Sequence, residues 1–225
     1  MTPDAALDAL RAQVEPGRAE QMIAYHKQSR AVLGVGNEVL NTLSRDWRGQ
    51  LDLEARVDLA AGLWASDIFE ARILAAKLLT QARIKQDTAV WDLVQTWVPD
   101  FNSWAIADHA ASAISKRLQA DPARLDVVES WTTSDHIWSR RAALVSTLPW
   151  AKLSNPKSAD LATRERILGW AATYVQDRDW FIQKSIAWWL RDLSKHDADR
   201  TRAFLAEHGD QMKAFARKEA VKYLK

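Results

Sequence analysis

The chain has 225 residues, 48% of them hydrophobic, with 31 Lys and Arg against 29 Asp and Glu; it can bury a sizeable core, and its mild basicity does not by itself imply a nucleic-acid partner. With no cysteine it has no disulfide and no cysteine-ligated metal. The N-terminal stretch MTPDAALDALRAQVEP lacks the basic start and apolar run of a signal peptide, and no apolar run approaches the ~20 residues of a membrane span, so a soluble cytoplasmic protein is expected.

Only 7 Gly and 6 Pro interrupt the chain, so turns are few and helices should dominate. Helical spacing of apolar residues recurs over roughly 4–14, 17–29, 36–47, 53–64, 67–83, 87–97, 102–120, 122–131, 135–148, 158–175, 179–194, 198–208 and 210–224. Capping residues stand at several of these starts: Asn102 or Ser103, Asp121 before Pro122, Ser134 or Asp135, and Ser158. No segment alternates with period 2 between turn residues, so no strand is expected. The loosest connection is PWAKLSNPK at 149–157, and nothing reads as a linker, so a single domain over 1–225 is expected.

Many short helices with tight turns point to antiparallel pairs stacked in a row, recurring from residue 53 at roughly 35–45 residues. The stretches 71–79 (ARILAAKLL), 138–148 (WSRRAALVSTL) and 182–193 (IQKSIAWWLRDL) each place a basic residue ahead of an Ala- and Leu-rich run. They read as second helices of successive pairs, lining the concave surface of an all-α solenoid. A globular helical bundle is the competing arrangement, and DNA, RNA or protein could each be the partner of such a surface.

Three helices carry a residue out of place. In FNSWAIADHAASAISKRL (101–118) the inward row is Trp104, Ala107, Ala111, Ile114 and Leu118. Asp108 lies one turn beyond Trp104 and about 40° around the axis, so an indole and a carboxylate share the edge of that row. In DHIWSRRAALVSTL (135–148), Arg141 interrupts the row Ile137, Leu144, Leu148, while Arg140 points elsewhere. Arg141 then either pairs with a core carboxylate or projects to meet an anion. In WFIQKSIAWWLRDL (180–193), Trp189 joins the stripe Ile182, Ile186, Leu190, Leu193. Its neighbour Trp188, turned about 100° away, falls among Lys184 and Arg191. It is either a contact with a neighbouring repeat or a stacking platform beside phosphate anchors. The five histidines show no metal-ligand spacing, and no metal or cofactor is expected.

The blocks NSWAIAD (102–108), IWSRRAAL (137–144), FIQKSIAWWLRDLSK (181–195) and FARKEAVKYL (215–224) resemble, in order and spacing, the AlkD-type DNA alkylation repair proteins. These are HEAT-like helical-repeat DNA glycosylases. YHKQSRAVLGV (25–35) matches more loosely, and the chain continues GNEVL where family members commonly have Thr-Pro and a basic residue. The resemblance implies an all-α, HEAT-like helical-repeat solenoid with a concave DNA-binding groove. It implies Asp108 as the catalytic aspartate, Trp104 and Trp188 as two aromatic walls, and Arg141 as a holder of the DNA backbone. Arg140, Lys184, Arg191 and Lys27 complete the expected DNA-binding set.

The implied activity is excision of cationic alkylated purines, N3-methyladenine and N7-methylguanine, from double-stranded DNA. No lysine stands out as a Schiff-base nucleophile, so the strand should not be cleaved. A monomer without cofactor is expected. Two other readings remain: a DNA-binding helical-repeat protein without catalysis, and a helical scaffold for protein partners.

Overall fold

A computed structural model describes residues 1–224. Among them the only β pairing is an isolated bridge between Ala31 and Ile68; the regular structure is otherwise helical. Contacts group the chain into two compact units that meet in sequence at Ala120 and Asp121, and each is described by itself.

The first unit contains α1 (Pro3–Arg11), α2 (Arg18–His26), α3 (Asn37–Gln50), α4 (Leu53–Ala65), α5 (Phe69–Leu79), α6 (Thr88–Thr96) and α7 (Trp104–Ala120). Its centre is α5, which packs on α3, α4 and α7 and buries every residue except Lys77. That explains why FEARILAAKLL is apolar on nearly every side rather than along one stripe.

The two charges that α5 buries are held by local partners. The Glu70 carboxylate, 0% exposed, accepts the N–H groups of Leu33, Gly34 and Val35 at 2.9, 2.7 and 3.1 Å. Arg72 pairs with Asp67 at 2.9 Å and lies 4.6 Å over the Trp64 ring. Gly34 has φ +89°, and a Cβ there would sit 2.8 Å from the Ala19 nitrogen, so the loop held by Glu70 tolerates only glycine. Fully buried Arg117 ties down the connection after α5 by donating to Asp87 at 2.7 Å and to the Gln81 and Ala82 carbonyls.

The second unit contains α8 (Leu125–Trp131), α9 (Ile137–Ser146), α10 (Leu148–Ala151), α11 (Ser158–Tyr174), α12 (Trp180–Leu193), α13 (Ala198–His208) and α14 (Ala214–Ala220). Here α12 is central, packing on α9, α10, α11, α13 and α14. Asp179 caps it, accepting from Phe181 and Ile182 N–H at 2.6 and 3.3 Å.

The thirteen expected helices all occur, with shifted ends. Residues 12–14 leave α1, and 148–151 form the separate turn of helix α10 behind Thr147. The expected 210–224 helix is a 3₁₀ turn, Gly209–Gln211, followed by the shorter α14. Two expected caps differ. His136 precedes α9, with the Ser134 hydroxyl accepting from His136 N–H at 3.1 Å. Ser158 is the first residue of α11 rather than its cap, and Asp160 accepts from Lys157 N–H at 2.9 Å.

Candidate functional site

In the first unit the candidate residues gather at the start of α7. The Ser103 carbonyl accepts from Ala107 N–H at 3.0 Å, so the helix begins at Trp104. Ala105, Ile106, Ala107, Ala110 and Ala111 are buried, whereas Trp104, Asp108 and His109 are half-buried. Trp104 is therefore at the rim and not part of the core row expected for it. The reason is α2: the His26 ring packs on Trp104 at 5.0 Å with a 42° tilt, and Tyr25 meets it edge-on at 6.0 Å. His26 in turn lies 4.9 Å from Phe69 of α5. Tyr25 is 72% exposed.

Trp104 is thus set in an aromatic cluster. Burial lowers the His26 pKa below its ordinary value. His109 is pushed down to about 4, by burial first and then by Lys77 and His26. Both rings are neutral near pH 7. A half-buried carboxylate one turn from a half-buried indole, without a protonated imidazole beside it, suits a cationic or cation-forming ligand. Lys27 is exposed and ends α2 in the left-handed conformation, φ 49°.

The second unit supplies the other candidates, on α9 and α12. Arg141 is only 4% exposed, and its Nη1 donates to the Phe181 carbonyl at 2.9 Å. α9 packs on α12, and a guanidinium turned inward must find acceptors there. Arg140 donates to the Ser134 carbonyl and to Asp177, at 2.6 and 3.0 Å.

The two tryptophans of α12 part as their positions require. Trp189 is 0% exposed and its Nε1–H has no acceptor among the described residues. Trp188 is half-buried, and its Nε1–H donates to Asp192 at 3.2 Å. Asp192 is itself 4% exposed and pairs with Lys152 and Lys195 at 3.3 and 3.5 Å. Lys184 and Arg191, expected as phosphate anchors, both donate to Glu219 of α14, Arg191 at 2.5 Å.

Sequence reasoning missed His26, Lys77, Asp192 and Glu219. Asp192 had a readable signal, because Trp188 and Asp192 repeat the i,i+4 spacing of Trp104 and Asp108. The others had none, since each meets its partner from a distant helix.

Short helices gathered around a buried central one in each unit, with a rim indole and carboxylate on α7, are features of a helical-repeat protein. The chain belongs to the DNA alkylation repair enzyme family, whose profile matches residues 6–224. Among solved structures it is similar to a predicted DNA alkylation repair enzyme from Enterococcus faecalis, at 20% identity and TM-score 0.78, over 94% of this chain and 97% of that one. It is also similar to AlkD2 from Streptococcus mutans, at 19% identity and TM-score 0.63, over 92% and 99% of the two chains. A third match, at 14% identity and TM-score 0.71, covers 100% of this chain and 94% of a protein described as related to the HEAT-like repeat DNA glycosylases with affinity for branched DNA structures. No curated protein sequence matches significantly. Among the described residues, no helix is long and apolar enough to cross a membrane.

Proposed function

We propose that this protein removes cationic alkylated purines, N3-methyladenine and N7-methylguanine, from duplex DNA by hydrolysing the N-glycosidic bond and leaving the strand intact. The observation that supports this most is the Trp104–Asp108 pair at the rim of α7, an indole and a carboxylate one turn apart and both half-buried, with the His26 ring packed on the indole. A purine alkylated at N3 or N7 already carries positive charge. When the bond from C1′ breaks, its electron pair leaves with the base, which departs neutral, so no general acid is needed. Positive charge then builds on the sugar, where Asp108 stabilises it and orients the attacking water. That water bonds to C1′ and loses its proton to the carboxylate or to solvent. The face of Trp104 holds the cationic nucleotide by cation–π attraction, worth roughly 0.5–2 kcal/mol, and Trp188 of the second unit offers its indole to the DNA.

Lys27, exposed at the end of α2, meets the DNA backbone. Arg140, Lys184 and Arg191 reach phosphate by exchanging Asp177 or Glu219 for it. Arg141, which also bonds the Phe181 carbonyl at the start of α12, holds the DNA backbone.

Single-turnover release of N7-methylguanine from duplex DNA tests the proposal. Asp108→Asn should lower the rate by on the order of 10² or more, the scale for losing one electrostatic stabiliser, while duplex binding is kept or improved. Equal rates for parent and variant would remove Asp108 from the chemistry. A second reading, DNA binding without excision, is prompted by the similarity to the protein with affinity for branched DNA. It predicts tight binding of junctions with no base released.

A further inference from the structure

Besides the Trp104–Asp108 rim, the first unit contains a small pocket of about 240 Å³ lined by Asn41, Ser44 and Arg48 of α3, Lys77 and Thr80, and His109 and Ser112 of α7. It is below the size that encloses a drug-like ligand, and no carboxylate lines it. Lys77 donates to the Asn41 side-chain oxygen at 2.7 Å. Arg48 donates through Nε and Nη1 to the Ser44 and Thr80 carbonyls at 3.2 and 2.9 Å. Each cation thus rests on neutral acceptors, and neither has a carboxylate partner among the described residues. Arg48 Nη2 and two of the three Lys77 ammonium hydrogens donate to nothing there.

Five other buried or half-buried cations of this chain have carboxylate partners: Arg72 with Asp67, Arg117 with Asp87, Arg164 with Asp197, and both Lys184 and Arg191 with Glu219; buried Arg56, like Arg48 and Lys77, rests on neutral acceptors, the Asp52 carbonyl and the Gln81 side chain. Two like charges drawn together out of water without a counter-charge are costly, and Lys77 shows it, its pKa lowered by burial and then by Arg48. A dianionic or monoanionic oxygen ligand would relieve both effects. Phosphate has the charge and the several acceptor oxygens to take the idle donors of both residues at once. The pocket opens beside His109, the residue after Asp108, so a group bound there lies next to the rim already described.

We propose that this Arg48–Lys77 pocket is a phosphate site, occupied in the working protein by a backbone phosphodiester of DNA. The identity of that occupant rests on the DNA reading given above; the anion site does not. Duplex binding measured against salt tests it. Lys77→Gln and Arg48→Gln should each reduce the slope of log K against log salt by roughly 1, equally for alkylated and unmodified duplex, and Lys77→Arg should restore it. Lys77→Gln should keep the melting temperature, since removal of a repelled charge offsets the one bond lost to Asn41; Arg48→Gln also gives up its bonds to the Ser44 and Thr80 carbonyls and is read by the salt slope.

In parallel, inorganic phosphate is titrated against the melting temperature. A phosphate-induced rise that Lys77→Gln abolishes, with duplex slopes unchanged, would assign the pocket to free phosphate and overturn the DNA occupant. Unchanged slopes together with an unchanged phosphate response would overturn the site altogether. A slope change in a protein that releases no base would keep the site and reject the excision chemistry.

Discussion

Truncating Trp189 and Trp188 in turn separates support of the fold from the proposed chemistry. Trp189 is completely buried on the helix around which the second unit is built. Trp189→Ala leaves a cavity costing about 3–5 kcal/mol. Its Nε1–H has no acceptor among the described residues, so the substitution also relieves a buried unsatisfied donor, worth about 1–3 kcal/mol. The net loss should fall near the lower end, about 3 kcal/mol, or roughly 6–12 °C in melting temperature for a chain of this length. Trp189→Phe removes the same donor with less volume and should lose less than Trp189→Ala. Trp188→Ala loses one hydrogen bond to a charged acceptor, Asp192, worth about 1.5–3 kcal/mol. That exceeds the ±0.5 kcal/mol or so typical of a surface change. Asp192 keeps Lys152 and Lys195, so no unpaired buried charge is created. Urea melts and single-turnover excision on the same preparations decide the matter. Trp189→Ala should melt earlier, and Trp188→Ala should lose more excision relative to its stability loss. A Trp188→Ala protein that melts first and excises at the full rate would refute the division of labour.

Three other perturbations follow from the buried charges. Glu219→Gln releases Lys184 and Arg191 from their carboxylate, so duplex binding should tighten and its salt dependence steepen; superimposable salt titrations would show that these two cations do not meet DNA. Glu70→Ala strands the N–H groups of Leu33, Gly34 and Val35 and should destabilise by about 3 kcal/mol or more, read by denaturant melts; a loss under 1 kcal/mol would mean that the loop rearranges to new acceptors. His109 has a folded pKa of about 4 against 6.5 for the exposed residue, so the unfolded chain binds its proton first. Its contribution is intact above pH 6.5 and lost as pH falls towards 4, up to about 3 kcal/mol. His109→Gln should flatten that part of the stability–pH curve, and an unchanged curve would show that His109 is not its source.

Read alone, the sequence determined where helices form and which way their side chains turn, because periodicity, caps and i,i+4 neighbours are local properties of the chain. It separated Trp189 from Trp188, put Asp108 one turn from Trp104, and carried the family blocks in order. It misjudged Trp104, whose place at the rim depends on His26 and Tyr25 arriving from α2. Arg141 was read as a break in an apolar row, and its bond to the Phe181 carbonyl, 40 residues on, is a contact that no local pattern carries. Lys184 and Arg191 read as an open basic face, and Glu219, 35 and 28 residues away, closes it. Lys77 read as one basic residue in an alanine-rich helix, and only packing places Arg48 beside it with no carboxylate between them. The pairing of a buried charge is decided by which distant helix comes to rest against it, and that information belongs to the tertiary structure.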